Sequence, residues 1–396
     1  MHLIMKKTFT LFFFALLAFS LNAQTMKTIT WDNQERQYLE FVPSTYSETT
    51  PTPLLFMLHG MGDEATNFFN GTQIKNIASE KGWIVVCPQA LEFNWEFPGL
   101  GSQNFGTCWN IGGTVSVSFN MYGIPFNFDV TVNEDADDKG FLMATLSALE
   151  EEYNINQDSV FFAGFSLGGF MCHRMAIEHG DVINSIAAVS GVIGNDMDDL
   201  TPVDNVNVLQ IFGTSDEVVS YDSAMISLQS LGYYNLGLPV EETVEYWRAF
   251  NQCDEEPVFE QYPDTFNDGL TFEMYRYGNG NNDARVSYIK VINGKHNWYA
   301  GNLHDIDYNT EIVKFFTGTT DVTEVSEQAE ATLTVYPNPT SDYLYVDTKK
   351  EVKIFDLCGK LVLQRQGTSK IDVSSLSDGM YFVKQGDYCG KLVINR

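Results

Sequence analysis

Phe161-Phe162-Ala163-Gly164-Phe165-Ser166-Leu167-Gly168-Gly169-Phe170 passes from an apolar strand, through a serine flanked by glycines, into helix-forming residues that continue from Met171 to Ile177. The spacing Gly164-x-Ser166-x-Gly168 is that of a nucleophile elbow. A serine on so sharp a strand-to-helix turn takes strained backbone angles, and small residues two positions to either side keep the turn from clashing. The Ser166 hydroxyl then stands clear of the sheet. The backbone N–H of Leu167 opens the following helix and points at any oxyanion formed there, so one short segment supplies both attack and charge stabilisation.

The chain around this segment has 396 residues, 44% of them apolar, enough for one large core and a small second domain. Lys6-Lys7, the apolar run Phe9 to Leu21 and the sequence Leu21-Asn22-Ala23 before Gln24 read as a secretory signal peptide over residues 1–23. That run is shorter than the ~20 apolar residues of a membrane helix, and no later stretch approaches that length. An exported protein with no stable membrane span is expected. Residues 24–330 carry 12 bases against 45 acids, whereas 331–396 carry nine bases and seven acids. So acidic a body repels nucleic acid and anionic membranes, which excludes a phosphate-backbone partner. The six cysteines permit disulfides in an exported chain. Cys87 with Cys108 is the expected pair, Cys358 with Cys389 a second, and Cys172 a buried thiol.

Apolar β-rich runs recur at Tyr38–Val42, Pro53–Leu58, Trp83–Cys87, Val160–Ala163, Ser185–Val189 and Val206–Phe212, and helical stretches lie between several of them. In Lys139–Tyr153 the residues Phe141, Leu142, Thr145, Leu146 and Leu149 follow a 3.6-residue period, with Asp137 and Asp138 placed to cap the helix. Strands alternating with helices give an α/β fold around a mostly parallel sheet. Leu91–Asn133 breaks the rhythm with glycines and aromatics and reads as an insertion over the sheet edge, where substrate-contacting loops are carried. Its aromatics serve equally as a substrate wall or as packing. Residues 317–330 are polar and acidic, a linker. The short strands of 331–396, separated by turns such as Cys358-Gly359 and Ser377-Asp378-Gly379, form a small all-β sandwich.

A serine nucleophile needs a base for its proton and a carboxylate to hold that base in the right tautomer, in the chain order Ser, Asp, His on this kind of fold. The strand Val208–Phe212 runs into Gly213-Thr214-Ser215-Asp216, and Val286–Ile292 into Asn293-Gly294-Lys295-His296. Asp216 and His296 thus lie in loops beyond the carboxyl ends of strands, where ligand sites form in open sheets. Glu217 and Asp222 rival Asp216, and His304 rivals His296; His173 and His179 sit on the elbow helix. His59 precedes the serine, in the wrong order for the base. Leu58-His59-Gly60-Met61-Gly62 reads instead as the second oxyanion loop, with the Met61 N–H as donor and His59 bracing it. His59, Trp109 and Trp298 are the expected substrate-binding side chains. The acidic clusters Asn133–Asp138, Asn195–Asp199 and Gly278–Asp283 lack calcium-loop spacing, so no metal site is expected.

Leu58-His59-Gly60, Cys108-Trp109-Asn110, Asp137–Phe141, Gly164–Gly169, Gly213–Asp216, Trp247–Cys253 and His296-Asn297-Trp298 together resemble the secreted polyhydroxybutyrate depolymerase and feruloyl esterase family, over most of residues 36–316. The resemblance implies an α/β-hydrolase at 24–316 that cleaves carboxylic esters without a cofactor, through a triad matching Ser166, His296 and Asp216. Leu167, where many members carry Asn, is a departure. Tyr336-Pro337-Asn338-Pro339, Leu344-Tyr345-Val346, Lys353–Asp356 and Gly379–Val383 resemble the C-terminal sorting domain of the type IX secretion system. That implies secretion machinery as a partner and a secreted or cell-surface location. A serine peptidase on the same fold and a non-catalytic carbohydrate-binding surface protein remain open. The polymeric or small ester substrate is open between feruloylated or acetylated polysaccharide and polyhydroxyalkanoate.

Overall fold

The computed structural model describes residues 23–97, 101–121, 123–227, 233–318, 335–346, 351–355, 361–366, 370–385 and 388–396. The expected signal peptide, apart from Ala23, and most of the acidic 317–330 stretch lie outside them. Two compact units divide at Gly318/Thr319.

In the larger unit the chain runs β1 (Ala23–Trp31), β2 (Gln34–Val42), β3 (Thr52–Leu58), α1 (Ala65–Gly71), α2 (Ile74–Lys81) and β4 (Ile84–Pro88). The hairpins β5 (Glu92–Phe97)/β6 (Gly101–Thr107) and β7 (Thr114–Met121)/β8 (Ile124–Thr131) follow. Next come α3 (Asp138–Glu152), β9 (Ile155–Phe165), α4 (Leu167–His179), β10 (Ser185–Val189) and β11 (Asn207–Gly213). The short β12 (Met225–Ser227) and β13 (Tyr233–Asn235), α5 (Val240–Asn251), β14 (Val258–Gln261), β15 (Thr271–Tyr277), β16 (Val286–Ile292) and α6 (Tyr308–Thr317) complete it.

One ten-stranded sheet has the order β1-β2-β4-β3-β9-β10-β11-β16-β15-β14. Its strands from β4 to β16 pair in parallel, and the antiparallel β1, β2, β15 and β14 close the two edges. Because side chains alternate along a strand, the all-apolar run Leu54-Leu55-Phe56-Met57-Leu58 feeds two cores. Leu54, Phe56 and Leu58 face α3, α4 and α5, and Leu55 and Met57 face α1, α2 and α6. The register aligns Phe56, Phe162, Ile186, Val208 and Val286 across five strands into the first core. The Phe56 and Phe162 rings stack at 4.4 Å, each contributing about 1.5–3 kcal/mol by burial. Burial on both faces is why these strands read as continuous apolar runs.

Three expectations are corrected. Cys87 and Cys108 are free thiols, as are Cys172 and Cys253; Cys87 packs into one core and Cys108 into the other, with the sheet between them. The Cys358–Cys389 pairing falls outside the described side chains. Asp137 does cap α3, accepting the Gly140 N–H. Asp138 instead is buried, bonding the Arg36 guanidinium at 2.6 Å and the Asn110 N–H at 2.7 Å, and so ties β2 and the insertion to α3. The insertion itself is strand rather than irregular coil: Val115 and Val117 are buried and alternate with Ser116 and Ser118, a period-two signal already present in the sequence.

The second unit pairs Val335–Tyr336, Tyr343–Val346 and Lys370–Asp372 in one small sheet. Leu361–Arg365, Val352–Phe355, Gly379–Gln385 and Tyr388–Ile394 form the other, in that order. Leu344 and Ile371 of one sheet share a core with Ile354, Val383 and Leu392 of the other, which makes a sandwich.

Candidate active site

Four loops leave the carboxyl ends of β3, β9, β11 and β16, and each carries part of the site. After β9, Ser166 takes φ 55° and ψ −124°, a left-handed conformation for a residue with a side chain. The turn closes so tightly that a Cβ on Gly164 would lie 2.2 Å from Gly168 O, and one on Gly168 2.0 Å from Leu58 O. Both glycines are therefore steric requirements. Ser166 is only 5% exposed, and its side chain caps no N–H of α4. Leu167 is the first residue of α4, where N–H groups lack intrahelical acceptors.

Beside it, the loop after β3 lies so close that a Cβ on Gly60 would approach Ser166 Cβ to 3.2 Å. Met61 is thereby carried to the elbow. His59 and Trp109 hold that loop from within the core: the bracing expected of His59 is made, and neither ring is exposed as a substrate contact would be. The His59 ring is fully buried; its Nδ1–H donates to Gly60 O at 2.7 Å, and its Nε2 accepts from the Ala90 N–H and from Gln89 Nε2, each at 3.1 Å. Burial lowers its pKa from the ordinary value, keeping it neutral. Trp109, also fully buried, donates its indole N–H to His59 O at 2.9 Å. The insertion adds two braces, Thr107 O accepting the Gly62 N–H at 2.8 Å and Thr107 Oγ1 donating to Asp63 O at 2.7 Å.

The other two loops are laced together. Ser215 N–H donates to Gly294 O and Thr214 N–H to Val291 O, both at 2.9 Å, and Asn293 N–H to Thr214 Oγ1 at 2.9 Å. This lacing sets His296 Nδ1 2.7 Å from Asp216 Oδ2. The other Asp216 oxygen accepts the Val218 and Val219 N–H groups at 2.9 Å each, so the carboxylate is fixed in rotation and its side chain is fully buried. The His296 ring lies 4.6 Å from the ring of Phe165, the residue before Ser166, and stays partly exposed. Trp298 packs edge-on against Phe68 and donates to Asn309 Oδ1 at 3.2 Å, anchoring the His296 loop to α1 and α6.

The rivals are spoken for. Glu217 is exposed beside Lys295, Asp222 is exposed, and His304 bonds Asp268 at 2.6 Å in a loop ahead of α6 rather than on that helix. His173 is a core residue, accepting from Trp247 Nε1 and bonding Gln210 Oε1, both at 3.0 Å. Among the described residues no group of three His, Cys, Asp or Glu is placed to hold a metal ion, and no helix is long and apolar enough to cross a membrane.

A parallel sheet sandwiched by helices, with a strained serine at the end of a central strand and a histidine–carboxylate pair on the later strands, defines an α/β-hydrolase. Residues 43–235 match the phospholipase/carboxylesterase family, and residues 334–395 match the secretion system C-terminal sorting domain. The larger unit thus has the α/β-hydrolase fold with a carboxylesterase-family match over 43–235, and the smaller unit matches a secretion sorting domain. The chain is 28% identical over 254 residues to NocK of Nocardia uniformis subsp. tsuyamanensis, named as an esterase, covering 63% of this chain and 66% of that one. Feruloyl esterase B of Neurospora crassa is 26% identical over 143 residues, 36% of this chain and 40% of its own. This chain thus spans less than two thirds of the length of either relative. Among solved structures, the acetyl xylan esterase from Aspergillus awamori aligns with a TM-score of 0.46 at 13% identity, covering 74% of this chain and 98% of that one.

Proposed function

We propose that this protein is an exported serine carboxylic ester hydrolase. The observation that carries the reading is the His296 Nδ1–Asp216 Oδ2 contact of 2.7 Å, made by loops on the same sheet edge as the strained Ser166. Ser166 Oγ attacks the ester carbonyl carbon while His296 Nε2 takes its proton. Asp216 keeps the His296 proton on Nδ1, so that Nε2 is free to accept, and stabilises the imidazolium that results. The oxyanion is received by the N–H groups of Leu167 and Met61. Collapse of the tetrahedral adduct returns the proton from His296 to the departing alcohol and leaves an acyl-Ser166. Water, deprotonated by His296, then adds to the acyl carbon, and the bond to Ser166 Oγ breaks as His296 returns the proton to that oxygen and the acid leaves.

The substrate class proposed is an ester carried on a polysaccharide or a polyhydroxyalkanoate, supported by relatives named as feruloyl esterases and by the match to an export domain. Residues 1–23 act as the signal for the first export step and the C-terminal unit as the address for the second.

Fluorophosphonate labelling together with nitrophenyl acetate turnover tests the reading. Wild-type protein is labelled and active, and Ser166→Ala is neither. Wild-type turnover in Ser166→Ala, or faster cleavage of peptide anilides than of esters, rejects it.

A further inference from the structure

A tyrosine-lined trough lies on the flank of the hydrolase unit, and none of Ser166, Asp216 and His296 lines it. Alternation along β15 sends Phe272 and Met274 into one core and Tyr275 and Tyr277 to the opposite face of the sheet. On that face α5 lies over β11 and β16, and the space between α5 and β15 opens as a trough of about 370 Å³. Tyr275, Tyr277 and Tyr288 line it from the sheet, beside Lys290 of β16, and Glu241 and Glu245 of α5 face them.

The register sets Phe259, Tyr275 and Tyr288 side by side on three neighbouring strands. Their ring centroids are 5.2 Å apart in the first pair and 5.9 Å in the second. Phe259 is 53% exposed and Tyr275 is part-exposed, so apolar ring surface is left for a partner to cover. The charges, by contrast, are already matched. Lys290 Nζ bonds Glu241 at 2.9 Å, and Arg248 bonds both oxygens of Glu245 at 2.6 Å. The trough is thus neutral as a whole, and a charged ligand would have to break one of these pairs or go unpaired.

A sugar ring matches what remains. Its flat C–H face covers an aromatic ring, and its hydroxyls donate to carboxylate oxygens, each of which can accept more than one bond. A polyester offers acceptors only, which would leave the two glutamates facing carbonyl oxygens. We propose that this trough binds an uncharged polysaccharide chain, with its sugar faces on the tyrosines and its hydroxyls on Glu241, Glu245 and Lys290. The trough adjoins the catalytic edge: the Tyr288 hydroxyl donates at 2.8 Å to that of Tyr221, in the loop that begins at Asp216, and β16 runs on into His296. A chain held here is tethered beside the edge where Ser166 stands, which raises the local concentration of its substituents there. The proposal goes beyond the ester-hydrolase reading and stands without it.

The test is isothermal titration calorimetry of the full chain with xylohexaose and cellohexaose, both uncharged and free of esters, beside polygalacturonate and sedimentation with polyhydroxybutyrate granules. At least one hexaose is expected to bind with a Kd of about 1 mM or tighter. Tyr277→Ala should weaken that binding about 10-fold or more. Glu245→Ala, which changes a side chain 59% exposed and so leaves the core intact, should weaken it about 5-fold. Circular dichroism establishes that each variant is folded. Absence of hexaose binding, binding unmoved in the folded variants, or polygalacturonate or polyhydroxybutyrate held as tightly overturns the proposal. Hexaose binding that the variants lose, without a fluorophosphonate label on Ser166, keeps this site and removes the ester-hydrolase reading; a label without hexaose binding does the reverse.

Discussion

Replacing Asp216 by Asn tests the most specific electrostatic claim made for the site. In the native loop one carboxylate oxygen accepts two N–H groups, from Val218 and Val219 at 2.9 Å, and the other faces His296 Nδ1 at 2.7 Å. An Asn of the same shape keeps its carbonyl oxygen toward the two backbone donors, because turning it over would set its NH2 against both. Its NH2 then faces His296. Nδ1 must accept instead of donate, the ring proton moves to Nε2, and the atom meant to take the Ser166 proton can no longer do so. A wrong tautomer of this kind costs about 10⁴ in kcat, which is about 5.4 kcal/mol of lost transition-state stabilisation. The fold should survive, since the two backbone bonds and the packing volume are retained. The assay is steady-state kinetics on nitrophenyl acetate beside thermal unfolding of the same preparations: kcat falls about 10⁴-fold, KM changes little, and the unfolding midpoint moves by only a few degrees. A folded Asp216→Asn protein with kcat within about tenfold of wild type would refute the assignment of Asp216 as the residue that orients His296.

Three further outcomes follow from the same geometry. Ser166→Gly removes a side chain held at φ 55° and should stabilise the protein by about 1 kcal/mol while abolishing ester cleavage; a lower unfolding midpoint would contradict the strain. Burial holds the His173 imidazole down from 6.5 to about 4, so the unfolded chain binds its proton first as pH falls. The neutral-state contribution is complete above pH 6.5 and is lost toward pH 4, by about 3 kcal/mol. Denaturant titrations at pH 7 and 4.5 should show that slope, and His173→Gln should flatten it, with the buried His59 and carboxylates held low by their partners, such as Glu178 and Glu241, supplying what remains; an unchanged slope would reject the assignment. Finally, Cys87, Cys108, Cys172 and Cys253 are free and buried, and burial with the Asp138 charge pushes the Cys108 thiol up to about 12. A thiol reagent without reductant, with its sites mapped by peptide mass, should leave these four unlabelled in native protein and label each of them after denaturation; one of the four left unlabelled on denaturation would indicate a bridge.

The elbow was legible in the sequence because its signature is local, even though Leu58 of β3 is what makes Gly168 a requirement. Gly164, Ser166 and Gly168 fall within five residues, and the strand and helix that force the strain adjoin them. Asp216 and His296 were legible for a related reason: each closely follows an apolar run, and chain order restricts which acid and which base can follow the serine. His59 and Trp109 were read as substrate contacts because a histidine and a tryptophan near a glycine loop look alike whether they face solvent or core. Their burial depends on Gln89, Ala90 and Thr107, which come from other elements. Asp138 likewise looks like a helix-capping acid until Arg36, far away in sequence, is found beside it.

The amino-acid sequence alone determined the α/β layering, the strained serine and the chain order of the proposed catalytic groups, since these follow from side-chain periodicity and short-range sterics. Only the tertiary structure decided that Cys87 and Cys108 sit on opposite faces of the sheet and that aromatics of the inserted hairpins close a cavity against Met61 and Leu167. Those features depend on which distant residues share a face once the sheet is assembled, and no local pattern encodes that.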